Sequence, residues 1–99
     1  MTHTVTEIVR GVMGNIKYLI VDVTISSYTT GGEVLTLGEL GFDVVADISG
    51  HFKALSANKL DFDPAGLKII ATVCSTGTQV ASGVNIGTVR VLVLGDAAW

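Results

Sequence analysis

Between Lys17 and Ile25 the odd positions Leu19, Val21, Val23 and Ile25 are all apolar, and Tyr18, Ile20, Asp22 and Thr24 alternate with them. A period of two is the signature of a strand with one buried face. The same reading turns Leu67, Ile69, Ala71 and Val73 inward and Lys68, Ile70, Thr72 and Cys74 outward. It also turns Val89, Val91 and Val93 inward and Arg90, Leu92 and Leu94 outward. Each strand therefore keeps apolar side chains on both faces. Shorter strands are expected over Thr4–Val12, Asp43–Ser49 and Leu60–Asp63, with Thr78–Ser82 as a further candidate. Turn residues lie between them: Gly14-Asn15, the run Ser75 to Thr78, and Asp63-Pro64-Ala65-Gly66, where Pro64 fixes one φ and Gly66 permits a positive one. Several short strands at this spacing predict a mainly β fold, a β-sandwich or jelly roll.

The stretch ISSYTTGGEVLTLGELGF, Ile25 to Phe42, breaks the alternation and holds four of the twelve glycines. Thr36 followed by Glu39 is the capping-box spacing, in which hydroxyl and carboxylate satisfy free N–H groups at a helix start, and Gly41 suits a left-handed end. One short helical turn is expected near residues 36–41, with Leu35, Leu37 and Leu40 tucked beneath it. Gly31-Gly32 lets the chain bend sharply after the preceding strand. A phosphate loop would need G-x-x-x-x-G-K-[ST], and a dinucleotide turn G-x-G-x-x-G. The stretch has neither spacing, so Tyr28, Gly31, Gly32, Glu33, Thr36, Glu39 and Gly41 read as a structural corner.

Ninety-nine residues suffice for one core, and the whole of 1–99 reads as a single β-domain. Val, Ile and Thr supply a third of the chain, in keeping with strands. Charged residues are only 15% while apolar residues are 48%, so a lone domain has little charge with which to cover itself. Surplus apolar surface of this kind points to a subunit or partner interface. Ile20, Ile70, Leu92 and Leu94, on outer strand faces, are the candidates. Residues 1–6 are expected to form a flexible arm, in which alternating Thr2, Thr4 and Thr6 suit strand addition to a neighbour. Trp99 folds against its own subunit, anchors an interface, or stays free.

The net charge is −3 and the six basic residues are scattered, which argues against direct nucleic-acid binding. The longest strongly apolar run, Tyr18 to Val21, is far too short for a membrane span, and the N-terminal residues lack a secretory signal. One cysteine, Cys74, excludes an intrachain disulfide and suits a reducing cytoplasm. Asp61 and Asp63 share a strand face but lack the further oxygen ligands of a calcium loop, and Asp63 suits a turn. His3, in the expected arm, His51 and Cys74 have neither a zinc spacing nor the signature of a thiol hydrolase, and Cys74 reads as a buried or half-buried structural thiol. No catalytic group, metal or cofactor is expected.

The segments VDVTISSYTTGGEVLTLGELGF, KIIATV and TVRVLVLGD resemble a group of small tailed-bacteriophage virion proteins, the capsid decoration or cement proteins. The likeness runs from Val21 to Gly95 and lies chiefly in the corner. It is carried by Asp22, Ser26 or Ser27, Tyr28, Gly31, Gly32, Glu33, Leu37, Leu40, Gly41 and Gly95. The resemblance implies a non-enzymatic role on the outer surface of the virion: clamping adjacent major-capsid-protein subunits, commonly as a homotrimer. A head-completion or tail protein of the virion is the alternative. A small carbohydrate-binding module or a small hydrolase would belong to other classes.

Overall fold

The computed structural model describes residues 3–54 and 56–97; Thr2 and Trp99, both named above as interface candidates, lie outside them. The elements in chain order are β1 (His3–Met13), β2 (Ile16–Ile25), β3 (Glu33–Val34), α1 (Leu37–Leu40), β4 (Val44–Phe52), β5 (Asn58–Asp63), β6 (Lys68–Val73) and β7 (Gly87–Asp96). They form a mainly β fold of two antiparallel sheets with one short helical turn. One sheet has the order β1-β2-β7-β4 and the other β3-β6-β5. The molecule is elongated, 41 × 22 × 20 Å. Its long axis is of the same order as the eleven-residue β1, which spans about 35 Å at the usual strand rise.

The alternating apolar positions build one core from both sheets. Leu19, Val21, Val23 and Ile25 of β2 and Val89, Val91 and Val93 of β7 are buried, and so are Ile69 and Ala71 of β6. Each of these valines, leucines and isoleucines withdrawn from water contributes about 1.5–3 kcal/mol. Leu35, Leu40 and Phe42, from the corner and the turn that follows it, close the same cluster.

The corner carries the chain from one sheet to the other. Tyr28 is buried, and its hydroxyl oxygen accepts hydrogen bonds from the Ala71 backbone N–H at 3.1 Å and the Gln79 side-chain amide at 2.9 Å. Gly32 follows with φ at 117°, a conformation that side chains rarely adopt, and a Cβ there would also lie 3.1 Å from that of Lys68. At α1 the capping box is complete: Glu39 N–H donates to Thr36 Oγ1 at 3.2 Å, and Thr36 N–H donates to Glu39 Oε2 at 2.6 Å. The turn ends at Gly41, whose N–H donates to the Leu37 carbonyl.

Five expectations are corrected, the first at Leu37, which is exposed while Leu35 and Leu40 are buried. Residues 3–6 belong to β1, paired with Asp22 to Ile25 of β2, because Val5 packs on the core and His3 is buried among polar partners of its own chain. His3 therefore has a fixed place. Residues 78–82 form no strand beyond a single bridge from Gln79 to Thr72, because their polar groups serve the corner. Gln79 Oε1 accepts from Gly31 N–H, Ser82 Oγ from Thr30 N–H, and the Val80 carbonyl from the Thr30 hydroxyl. In the β5–β6 turn the positive φ falls on Leu67, at 52°, and not on Gly66. A Cβ at Gly66 would lie 2.9 Å from Asp63 Oδ2 and would displace that carboxylate oxygen. Cys74 is exposed, because it follows the end of β6, where the inward and outward alternation stops.

Two glycines of the corner should respond in opposite directions. Gly32→Val should cost about 1–3 kcal/mol, because a branched side chain is strained at that φ. Gly38→Ala should stabilise by about 0.4–1 kcal/mol, since Gly38 lies within α1 with open space where a Cβ would go. Urea unfolding midpoints measure both; equal midpoints would contradict this account of the corner.

Candidate interaction surface

Because the inner residues of β2 and β7 are fixed by the core, the alternate residues of these strands face outward, and the strand register sets them in rows across the four-stranded sheet. One row is Val9, Ile20, Leu92 and Ser49, and the next is Gly11, Tyr18, Leu94 and Asp47. Ile20, Leu92 and Leu94 are half-buried, and Val9 is exposed. The Tyr18 ring lies over Gly11, where a Cβ would come within 2.6 Å of three of its atoms. An aromatic side chain thus covers the glycine gap in the edge strand. Ile20, Leu92, Ser49, Gly50, His51 and Arg90 line a shallow groove of about 380 Å³ on this face.

Towards the β1–β2 turn the surface becomes more apolar. Met13 and Ile16, paired at the hairpin end, are each about half exposed, as is Ile8, the residue skipped by the register shift between Glu7 and Val9, while Val12 is exposed on the opposite face of the hairpin. Towards the other end it becomes polar. The third row is Thr6, Asp22, Arg90 and His51, and the fourth is Thr4, Thr24 and Thr88, the last two joined hydroxyl to hydroxyl at 3.0 Å. Asp22 takes a fork from Arg90, Nε to Oδ1 at 2.9 Å and Nη2 to Oδ2 at 3.2 Å, and its Oδ2 also receives Lys53 Nζ at 3.1 Å. The Arg90 hydrogen bonds, against the opposing effect of burial and with help from Lys53, hold the Asp22 carboxyl below its ordinary value. The outer face is thus an apolar band that runs to the hairpin tip at one end and meets ion pairs and hydroxyls at the other.

The expected interface residues divide on this map. Ile20, Leu92 and Leu94 lie together, Thr4 and Thr6 lie on the polar part of the same face, and Ile70 lies on the other sheet, opposite Asp61. The corner residues Tyr28, Gly31, Gly32, Glu33, Thr36, Glu39 and Gly41 follow one another through β3 and α1. Val9, Ile8 and the hairpin tip were not singled out, although Val12, Met13 and Ile16 around Gly14-Asn15 form a visible apolar cluster in the sequence.

The polar interior of the corner is a second group that was missed. His3 Nδ1 lies 2.5 Å from Glu33 Oε2, and His3 Nε2 lies 2.8 Å from Glu39 Oε1. His3 and Glu33 are buried. Partners thirty and thirty-six residues apart leave no local pattern to read. Among the described residues no cluster of three His, Cys, Asp or Glu side chains is arranged to hold a metal ion, and no helix is long and apolar enough to cross a membrane. Asp63 serves its turn, its Oδ1 accepting from Ala65 and Gly66 N–H.

No family model matches the chain, and neither a curated protein nor a solved structure does.

The ion pairs predict the acid behaviour of this face. Since the Asp22 pKa is lowered on folding, its contribution is present above the ordinary value near 3.8 and is lost as pH falls through the lower folded value. Asp22→Asn should therefore flatten the fall in urea midpoint between pH 4 and pH 2. An unchanged acid limb in the variant would rule out this role for Asp22.

Proposed function

We propose that this chain is a capsid decoration protein of a tailed bacteriophage, a non-enzymatic β-domain that attaches to the outside of the assembled head and clamps neighbouring major-capsid-protein subunits. The observation that carries the reading is the outer face of the four-stranded sheet. There Val9, Ile20, Leu92 and Leu94 form an apolar band that continues into exposed Met13 and Ile16. Isolated apolar residues on a surface need no partner, whereas a contiguous band bordered by ion pairs is what an interface requires. The corner motif that resembles the decoration proteins supports the same reading from the sequence. It also favours the finer description of the two sheets as a sandwich of jelly-roll type.

Such a protein stabilises the shell by mass action. It binds the assembled lattice and not the loose subunits, so its binding free energy adds to the stability of the assembled form. A homotrimer touching several capsid subunits at once gains avidity, so that modest contacts by each copy hold the whole. The band would serve contacts between copies, contacts with the shell, or both. No catalytic group, cofactor, nucleic acid or membrane has a part in this scheme.

Imaging of native particles tests the proposal directly: copies should lie over the joints between capsid subunits. Density at the portal or along the tail would replace it with a head-completion or tail role. The surface is tested by Ile20→Asp combined with Leu92→Asp. Both positions are half-buried on an outer face, so the fold should persist by circular dichroism. Capsid attachment, measured by co-sedimentation, should fall at least tenfold. Undiminished attachment by the double variant would exclude this face.

A further inference from the structure

We propose that His3 is the proton-operated clasp of the fold, fastening the start of β1 to the corner when it is protonated and releasing it when it is not. His3 stands at the beginning of the four-stranded sheet, opposite Ile25 of β2. Glu33 belongs to β3 of the other sheet, and Glu39 to α1. One imidazole therefore joins both sheets and the helical turn. Glu39 is already committed through Oε2 to the Thr36 N–H of its own capping box, and it meets His3 with Oε1.

Proton counting makes the arrangement sensitive to pH. Two nitrogen-to-carboxylate hydrogen bonds need two protons between them, and a neutral imidazole carries one. With both glutamates ionised, the second bond exists only if the ring is an imidazolium. When that proton leaves to solvent, one ring nitrogen presents a lone pair to a carboxylate oxygen, and the buried side of the cluster loses its positive charge. Burial by itself would push the imidazole down. The bonds and charges of Glu33 and Glu39 more than offset it and hold His3 above its ordinary value near 6.5. These two carboxylates are the charged groups that face His3 from β3 and α1, and its neighbour across β2 is apolar Ile25. Because the folded pKa is raised, the stabilisation is complete below about pH 6.5 and is lost as pH rises through the folded value.

The release is local. β1 is an edge strand, bonded on one side to β2, and the shift between Glu7 and Val9 separates its first half from the hairpin. Residues 3–7 therefore open without unravelling the apolar half of the strand. The clasp holds whichever partner the outer face meets, so its failure would leave the capsid reading standing.

Native-state hydrogen exchange on the full chain between pH 6 and pH 9 tests the clasp, with protection factors at Val5 and Glu7 compared with those at Val91 and Val93. In the parent, the opening constant for residues 3–7 should rise by up to tenfold per pH unit above 6.5 and then level off, while Val91 and Val93 keep their protection. His3→Gln cannot titrate and should show a flat profile. Glu39→Gln should shrink the rise, because a neutral imidazole can then donate to Glu33 and accept from the new amide. Proton-detected titration of the ring gives an independent readout, with a pKa above 6.5 in the parent that falls in Glu39→Gln. A pH-independent opening constant in the parent, the same slope in His3→Gln, or a ring pKa at or below 6.5 would each overturn the clasp.

Discussion

The fold depends on Tyr28. The chain leaves the four-stranded sheet at Ile25 and enters the three-stranded sheet at Glu33, and this short crossing must satisfy its own backbone while bending through two glycines. Tyr28 makes that possible from both ends of its structure. Its N–H donates to the Val84 carbonyl and its carbonyl accepts from Gly83, tying the corner to the long segment between β6 and β7. Its hydroxyl oxygen receives the Ala71 N–H of β6, with the ring sealed in the core. A phenylalanine would fill the same volume but leave a buried N–H without that acceptor, at a cost of about 1–3 kcal/mol.

The legibility of these features followed the distance over which their causes act. Capping at Thr36 and Glu39 is settled within four residues, and the inward valines of β2 and β7 repeat every second residue, so both could be read directly. The short β3 could not, since Glu33 and Val34 are a strand only because Ile69 and Lys68 lie opposite them. Residues 78–82 show the converse. Their alternation suits a strand, but Gln79 and Ser82 are taken up by the backbone of the corner, a use invisible without the partner loop. The pairing of residues 3–6 with β2 could not be read, because threonine and histidine supply little apolar surface. Two carboxylates from distant elements make the difference at His3.

The outer face was legible in kind but not in extent. Ile20, Leu92 and Leu94 stand out because apolar residues occupy alternate positions where polar ones are usual. Only the register shows that they align across three strands with Val9 and continue to the hairpin tip. It also separates Ile70, an equally apolar outward residue, onto the other sheet. Asp22, Arg90 and Lys53 then acquire a meaning that single positions lack. With Arg90 and Lys53 partly exposed, such ion pairs add little to stability on their own, and they mark where the apolar band gives way to polar surface.

Charge is scarce in this chain, and its placement follows from what each ion pair must hold. On the outer face Arg90 and Lys53, each more than a third exposed, reach a buried Asp22 from the solvent side, where added salt weakens the pairs. In the corner, Glu33 is sealed beneath the start of β1, and the low local polarity that makes its attraction to His3 strong also makes the loss of a proton expensive. A neutral asparagine or glutamine network could fill such a space without responding to pH. The use of two carboxylates and one imidazole instead concentrates the pH response of the sheet junction in a single residue, while the apolar pairing of β2 with β7 remains independent of it.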